Sequence, residues 1–278
     1  MRFVTSIQLL PGKKIFFASD FHLGSAPADR SRERERMLVR WLDSIKSEAQ
    51  VLFLVGDIFD FWHEYKEAVP KGYVRFLGKL AELKDSGVDI QAFTGNHDLW
   101  MRDYFPAELG IPVHFKPIEF DVTAADGTTR RFMLGHGDGL GPGDWAYKNV
   151  LKPIFTNPFL QFLFRWLHPD IGIAFAHRWA RHTRASKSGK PHEFFHSDDM
   201  EWIFQYCREV EQTSHHDFYI FGHRHLLLDM TVSATSRYIN IGEWLFTRSY
   251  GTYDGKVFEL HLFENDPKYL IPANRSTN

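Results

Sequence analysis

The sequence has almost no cysteine and no long apolar run. Cys207 is the only cysteine among 278 residues, which excludes disulfides within the chain and Cys-type zinc sites and favours a reducing compartment. The amino-terminal residues lack the apolar core of a signal peptide. No apolar run reaches the roughly 18 residues that a membrane-spanning helix requires. We therefore expect the protein to stay in the cytoplasm.

The chain as a whole also lacks an excess of charge of one sign. Its formal net charge is −2, which gives no general indication of a nucleic-acid partner. The apolar fraction of 44% and the charged fraction of 24% are ordinary for a globular protein. A chain of this length can form a large core, as one domain with an insertion or as two domains.

The most informative feature of the sequence is a set of short apolar runs, each followed by residue types that bind metals. The run from Val51 to Val55 precedes Gly56 and Asp57, which predicts a buried parallel strand delivering Asp57 to the carboxyl edge of a sheet. Ligands of open α/β proteins bind at that edge. Four other runs supply Asp20 and His22 after residues 15–19, Asn96 and His97 after 90–94, His136 after 131–134, and His223 and His225 after 218–221.

The spacing of these residues indicates one shared site. Residues two apart in an extended chain project to the same side, so Asp20 and His22 can point at one position, and so can His223 and His225. The glycines beside the candidates allow two backbones to approach without a Cβ. One such pair is a weak signal, whereas five in succession at strand ends are a strong one.

The seven candidate metal ligands differ in chemistry. They are Asp20, His22, Asp57, Asn96, His136, His223 and His225. Seven are too many for one catalytic ion, and a mixture of carboxylate, amide and imidazole suits two divalent ions of the Mn, Fe or Zn type, with Asp57 as the bridge. Two ions about 3.5–4 Å apart clamp a phosphoryl group and lower the pKa of a shared water towards roughly 7. This predicts a hydrolase of phosphate esters or anhydrides, with a metal-bound hydroxide attacking phosphorus.

His97 and Asp60 are candidates for roles next to the metals. The His97 imidazole can donate to a phosphate oxygen or protonate the leaving group, a catalytic contribution of about 10²–10⁴-fold. The alternative for His97 is a structural role in the metal loop. Asp60 is expected either to orient a ligand or to cap a turn.

Alternating strands and helices up to Asp138 predict an α/β core. Helices are predicted over residues 29–49, 72–86 and 197–213. Strands after Leu226, with a turn at Asp254 and Gly255, are expected to be antiparallel and to complete a second sheet. The predicted domains are a core of residues 1–142 and 196–265, a helical cap insertion over 143–195 and a tail over 266–278.

The cap insertion is aromatic and basic. Its eight Lys or Arg residues outnumber its three acids, which gives a local charge of +5. Such a segment fits an apolar anionic ligand or an anionic membrane surface. The alternative is a helical hairpin that buries its aromatic side chains on the core.

The ordered motifs resemble those of the calcineurin-like metallophosphoesterase superfamily across residues 14–263. They are Asp20-x-His22, Gly56-Asp57, Gly95-Asn96-His97-Asp98, Gly135-His136 and Gly222-His223-x-His225. The resemblance implies a four-layer α/β/β/α sandwich with a dinuclear site. It implies one ion held by Asp20, His22, Asp57 and His225, and another held by Asp57, Asn96, His136 and His223.

Within the superfamily, the segments Gly56–Trp62 and His136–Tyr147 and the helical insertion resemble the UDP-2,3-diacylglucosamine pyrophosphatases of lipid A synthesis. That resemblance implies manganese, hydrolysis to UMP and lipid X at the inner face of the inner membrane, and a cap that receives two acyl chains. It also implies substrate contacts at Asn96, Asp144, Tyr147, Ser186, Lys187 and Lys190. His97, beside Asn96, is a further candidate for substrate contact on its own chemistry.

Two residues differ from that family's pattern. His97 stands where Arg usually follows the ligand Asn, and Arg224 stands where a small residue is common. One alternative function is therefore hydrolysis of another phosphodiester, nucleotide or phospholipid-like substrate. Another is a non-catalytic metal-binding scaffold. A nuclease is less favoured, because the basic residues cluster in the aromatic cap and not along an open groove.

Overall fold

A computed structural model of the protein describes residues 5–143, 145–175, 178 and 197–264. The strands of its first sheet are β2 (Lys14–Ala18), β3 (Ala49–Val55), β4 (Asp89–Phe93), β5 (Val113–His114), β11 (Ser249–Tyr253) and β12 (Phe258–Leu262). Their order across the sheet is β12-β11-β2-β3-β4-β5. Strands β2 to β5 are parallel, and β11 pairs antiparallel with β2.

The strands of the second sheet are β1 (Thr5–Gln8), β6 (Ile118–Thr123), β7 (Thr129–Gly135), β8 (Phe218–Phe221), β9 (Leu227–Thr231) and β10 (Arg237–Ile241). Their order is β1-β6-β7-β8-β10-β9. Strands β7 and β8 are parallel, so both end at the same edge. All five strands predicted to carry site residues are therefore confirmed.

Aromatic side chains fill the space between the two sheets. Phe17 stacks on Phe53 with ring centroids 5.4 Å apart, and Phe53 lies 5.1 Å from Phe120 of the facing sheet. Phe132 continues the series, at 5.2 Å from Phe120 and 4.9 Å from Phe218. The alternation of inward and outward residues along these strands buries this layer almost completely.

Helices cover the outer faces of the sheets. Helices α1 (Ala28–Ile45), α2 (Val74–Asp85) and α3 (Tyr104–Leu109) pack on the first sheet, and α6 (Trp202–Glu211) packs on the second. In α1, Met37, Leu38, Trp41, Leu42 and Ile45 are buried at helical spacing. The layers run helix, sheet, sheet, helix, which confirms the predicted four-layer sandwich.

Further helices lie between β7 and α6. A π-helix, Tyr147–Leu151, leads into α4 (Lys152–Thr156) and α5 (Pro158–Arg165), and residues 169–175 are also helical. These helices fall in the segment predicted to be the cap. The domain boundaries stay a prediction, because the end of the cap and the tail lie outside the described residues.

Three expectations about the core need correction. The β/α alternation ends at residue 118, where β6 and β7 form an antiparallel hairpin. The strands after Leu226 divide between both sheets, and β10 pairs parallel with β8 because the β9–β10 hairpin folds back to place β10 beside it. The helix predicted over 197–213 is a short 3₁₀ turn, Asp198–Met200, followed by α6, with Glu201 extended between them.

Candidate metal centre

The carboxyl ends of five strands bring the seven predicted ligands to one edge of the sandwich. Four come from the first sheet, namely Asp20, His22, Asp57 and Asn96, and three come from the second, namely His136, His223 and His225. Parallel strands in both sheets end at this edge, so the convergence follows from the topology.

Asp20, His22, Asp57 and His225 form one compact group whose ligand atoms all lie within 4.8 Å of one another. His225 Nε2 lies 3.1 Å from Asp20 Oδ1 and 3.0 Å from His22 Nε2. His22 Nε2 lies 3.7 Å from both Asp20 Oδ1 and Asp57 Oδ2. Two carboxylates and two imidazoles thus point at one position.

His136, His223 and Asn96 lie on the other side of Asp57. His136 Nε2 is 3.4 Å from Asp57 Oδ2, and His223 Nδ1 is 2.8 Å from Asn96 Oδ1. The rings of His136 and His223 are 5.2 Å apart. Oδ2 of Asp57 therefore lies between the two groups, which is the position that a bridging ligand requires.

The chemistry of these residues fits a divalent cation. Asp20 and Asp57 are almost completely buried, and burial of a carboxylate is costly without a compensating charge. Within the described part of the chain, Asp20 Oδ1 and His136 Nε2 make no well-aligned hydrogen bond, although each lies near a charged or imidazole group of the cluster. Carboxylate, amide and imidazole groups suit Mn, Fe and Zn. The chain thus carries a site for a divalent metal ion.

The pKa values of the cluster reflect burial and mutual charge. Burial lowers the pKa of His22 to about 3. Burial alone would raise the pKa of Asp57, but the charges of His136 and His97 outweigh it and lower the pKa. The pKa of His136 is raised in spite of burial, because Asp57 faces its imidazolium. These acids and bases neutralise one another, and a bound cation would displace the shared protons.

Five of the candidate ligands have left-handed backbones. The φ angles are 56° for Asp20, 44° for His22, 49° for Asp57, 66° for His223 and 53° for His225. Residues with a Cβ rarely adopt this conformation, and it persists where the surrounding structure fixes it, often at functional sites. The strand ends therefore turn sharply so that these side chains face one another.

Neighbouring glycines make room for this approach, as predicted from the sequence. A Cβ on Gly56 would lie 2.5 Å from Nδ1 of His136, and one on Gly222 would lie 2.5 Å from Oδ2 of Asp20. Any side chain at either position would push the candidate ligand aside.

His97 lies at the edge of the cluster and is partly exposed. Its backbone N–H donates to Asp57 Oδ1 at 2.8 Å. Its ring Nδ1 lies 3.0 Å from the carbonyl oxygen of Asp60 and 3.5 Å from Oδ1 of the same residue. That carboxylate oxygen also lies 3.7 Å from Nδ1 of His22. Asp60 thus faces both imidazoles, in agreement with the orienting role considered for it.

Residues 13–227 match the family model described as calcineurin-like phosphoesterase. The chain belongs to this family. A relative named UDP-2,3-diacylglucosamine hydrolase, from Porphyromonas gingivalis (strain ATCC BAA-308 / W83), is 36% identical over 264 residues, which are 91% of this chain and 98% of the relative. A relative of the same name from Hahella chejuensis (strain KCTC 2396) is 25% identical over 88% of this chain and 95% of its own.

Among solved structures, that of the protein TT1561 from Thermus thermophilus covers 91% of this chain and 99% of its own, with 11% identity and a TM-score of 0.44.

Asp98 supports the metal loops of this phosphoesterase. It is fully buried, and its carboxylate accepts backbone N–H groups from Gly95 at 2.6 Å, Ile58 at 2.7 Å and Phe59 at 3.3 Å. It joins the loop after Asp57 to the loop after β4. Burial, followed by the charge of Asp57, raises the pKa of Asp98 to about 7. The sequence shows Asp98 beside His97 but not this bridging role.

The predicted substrate contacts are only partly described. Asn96 and His97 lie at the cluster. The Tyr147 hydroxyl donates to Asp138 Oδ2 at 2.8 Å, and Nζ of Lys152 lies 2.7 Å from the same oxygen. Asp144, Ser186, Lys187 and Lys190 lie outside the described residues.

The helical segment from Trp145 to Phe175 presents apolar side chains to solvent. Phe164 packs inward, 4.8 Å from Trp100 between ring centroids, and the Trp100 indole donates to the Phe155 carbonyl at 2.6 Å. Others are largely exposed, namely Trp145, Phe159, Phe162, Trp166, Ile171 and Phe175. The segment therefore buries only some of its aromatic side chains on the core. In the described ranges, no helix is long and apolar enough to cross a membrane.

Proposed function

We propose that this phosphoesterase cleaves the pyrophosphate of UDP-2,3-diacylglucosamine, releasing UMP and lipid X. The observation that carries the proposal is the conjunction of a buried Asp/His cluster with an exposed apolar helical segment on the same chain. The first suits a phosphate, and the second suits acyl chains. The names of the relatives, which align over most of their length, support this substrate.

Two divalent ions, which we propose to be Mn²⁺, would be held by the seven ligands. One set is Asp20, His22, Asp57 and His225, and the other is Asp57, Asn96, His136 and His223. When bound, the ions would clamp the phosphoryl oxygens and activate a water molecule as the nucleophile. Asp57 would contact both, since its Oδ2 already lies between the groups.

His97 would act on the leaving group. Asp60 faces Nδ1 of its ring, so Nε2 is the nitrogen that can meet a substrate. In that orientation His97 can donate a proton or a hydrogen bond to the departing phosphate oxygen.

The apolar helices would receive the acyl chains and contact the membrane surface. Each CH₂ group of an acyl chain that becomes buried contributes about 0.8 kcal/mol to binding. The exposed aromatic side chains of these helices would cover part of each acyl chain. Lys148, Arg165 and Arg178 add positive charge to the described part of this segment, which favours an anionic headgroup region.

Hydrolysis by the purified full-length chain with added MnCl₂ tests the proposal. UDP-2,3-diacylglucosamine and the soluble diester bis-p-nitrophenyl phosphate are assayed in parallel, with the D57A variant as control. We expect release of UMP that D57A abolishes. Cleavage of the soluble diester alone would retain the metal chemistry and reject the substrate. No turnover of either, with Mn²⁺ still bound, would favour a scaffold.

A second candidate is hydrolysis of another phosphodiester or nucleotide. His97 favours it, because Arg is usual at this position in the UDP-2,3-diacylglucosamine pyrophosphatases. The H97R variant separates the two. Release of UMP by the wild-type protein would show that His97 serves this substrate. Release of UMP by H97R alone would assign the wild-type protein to a different phosphate.

A further inference from the structure

Arg224 lies between the predicted ligands His223 and His225, on the loop that follows β8. Its side chain is buried, with 7% of the residue exposed. Arginine is almost never buried unless its charge is paired. The partners of this guanidinium therefore indicate its role.

Glu201 and Trp202, at the start of α6, hold the Arg224 guanidinium. Its Nε donates to the two carboxylate oxygens of Glu201 at 3.2 and 3.0 Å. The guanidinium carbon lies 4.0 Å from the centroid of the Trp202 ring. A planar guanidinium that is both paired and stacked has little freedom to move.

The contacts of Glu201 lead back to the same loop. Tyr238 donates its hydroxyl to Glu201 Oε1 at 3.3 Å, and Asn240 Nδ2 lies 3.3 Å from that hydroxyl. Asn240 also donates to the carbonyl of Gly222 at 2.6 Å. The loop is thus fixed at Gly222 and at Arg224 by one buried network.

The loop needs such fixing because of its backbone. His223 and His225 both have left-handed φ angles, 66° and 53°, and such residues persist only where the surroundings over-determine them. Arg224 is the residue between them, and its buried side chain attaches the loop to Glu201 at the start of α6.

We propose that Arg224 is a positioning residue that, through Glu201 and Trp202, holds His223 and His225 in the geometry that binds the divalent ions. The proposal rests on the metal-ligand roles proposed above. Partners that orient metal ligands typically change metal affinity by about 10–100-fold when they are removed.

Titration of MnCl₂ into the metal-free full-length protein, followed by calorimetry, tests this role. R224L should weaken Mn²⁺ binding by about 10–100-fold, and R224K, which keeps the charge facing Glu201, should recover part of the loss. The R224L/E201L double variant should bind Mn²⁺ no more weakly than R224L, because the two substitutions remove the same contact.

R237L is the matched control. Arg237 also pairs with a carboxylate, Asp229 at 3.0 Å, and lies over the Phe218 ring on the same sheet, but at the far end of the strands from the ligands. The R237L variant should have a lower unfolding temperature than the wild-type protein and the same affinity for Mn²⁺.

Wild-type Mn²⁺ affinity in R224L, together with a loss of thermal stability like that of R237L, would show that Arg224 is merely structural. If R224L does not fold, R224K and E201Q decide the point, because wild-type affinity in both would overturn the proposal. If the wild-type protein binds no Mn²⁺, the proposed metal site fails and this inference fails with it.

Discussion

A methyl group on Gly95 would lie 2.2 Å from Asp57 Oδ1 and 2.6 Å from the Asp57 backbone nitrogen. The backbone nitrogen cannot move aside, so we expect G95A to displace the loop that carries Asn96, to destabilise the protein by about 1–3 kcal/mol and to weaken Mn²⁺ binding. Chemical denaturation and metal titration measure the two effects.

Gly78 provides the control for this prediction. It lies in α2, and a Cβ there would meet nothing within 4 Å. G78A should stabilise the helix by about 0.5–1 kcal/mol and leave metal binding unchanged. Equal behaviour of G95A and G78A would contradict the close approach at the metal centre.

Substitution of His97 separates catalysis from metal binding. H97A should lower kcat on bis-p-nitrophenyl phosphate by about 10²–10⁴-fold, since its ring nitrogen would no longer meet the leaving group. The protein should still bind its metal, because it is the backbone N–H of residue 97 that supports Asp57. Metal analysis of the purified variant provides the check, and loss of the ions would assign His97 a structural role.

The positions of the candidate ligands could be predicted, but not their conformation. Asp57 and His223 follow apolar runs, and the end of a run is visible in the sequence. Their left-handed backbones are not visible, because residues with a Cβ ordinarily avoid that region. The sequence likewise does not reveal the contact of Arg224 with Glu201, since Glu201 comes from a separate element.

At the scale of elements, Glu35 of α1 caps the neighbouring helix α2. The carboxylate is buried and accepts the backbone N–H groups of Arg75 at 3.0 Å and Phe76 at 3.3 Å, whereas the N-cap residue Tyr73 supplies no side-chain hydrogen bond. E35A should therefore cost about 0.5–2 kcal/mol, measured by urea unfolding. E33A, at an exposed position of α1, should cost little, and an equal loss would contradict the capping role.

Glu211, at the end of α6, should make stability depend on acid pH. Burial would raise its pKa, but hydrogen bonds from Ser236, His215 and Tyr219 outweigh burial and lower the pKa to about 2 from 4.5. The stabilisation is fully present above pH 4.5 and is lost as the pH falls towards 2. Unfolding is measured in the presence of a chelator across this range.

The difference in stability between wild type and E211Q should be largest above pH 4.5 and shrink towards pH 2. E209Q, at an exposed position of the same helix, should show no such trend. A difference that stays constant with pH would refute the role of Glu211.

Apart from the start of α6, helix bounds lie close to those that apolar periodicity predicts, and the other errors concern long-range pairing. Helices α1 and α2 were predicted because their apolar residues recur at helical spacing. The capping of α2 by Glu35 could not be predicted, since Glu35 lies 40 residues from Arg75 in the sequence. The pairing of β10 with β8 could not be predicted either, because local alternation of residue types does not reveal which sheet a strand joins.

For the whole molecule, the exposed aromatic side chains of the helical segment should govern attachment to lipid. Phe162 is 54% and Trp166 is 77% exposed. We expect the F162S/W166S variant to bind anionic phosphatidylglycerol vesicles at least about tenfold more weakly, because two aromatic groups lose their burial in the interface. Its turnover of the soluble diester should stay unchanged.

Vesicle sedimentation measures this difference. The control is F115S. Phe115 is 57% exposed but lies outside the helical segment, so this variant should bind vesicles like the wild-type protein. Equal binding by all three proteins would reject the helical segment as the lipid contact.

The ligands come from both sheets, and this has a consequence for biosynthesis. A ribosome releases Asp20, His22, Asp57 and Asn96 first, and His223 and His225 leave the exit tunnel only after most of the chain has been made. A nascent chain therefore offers an incomplete set of donors until β8 has paired with β7 in the second sheet. With the ligand set proposed above, we expect tight metal binding only after the two sheets have closed on each other, so that metal retention would report completed folding.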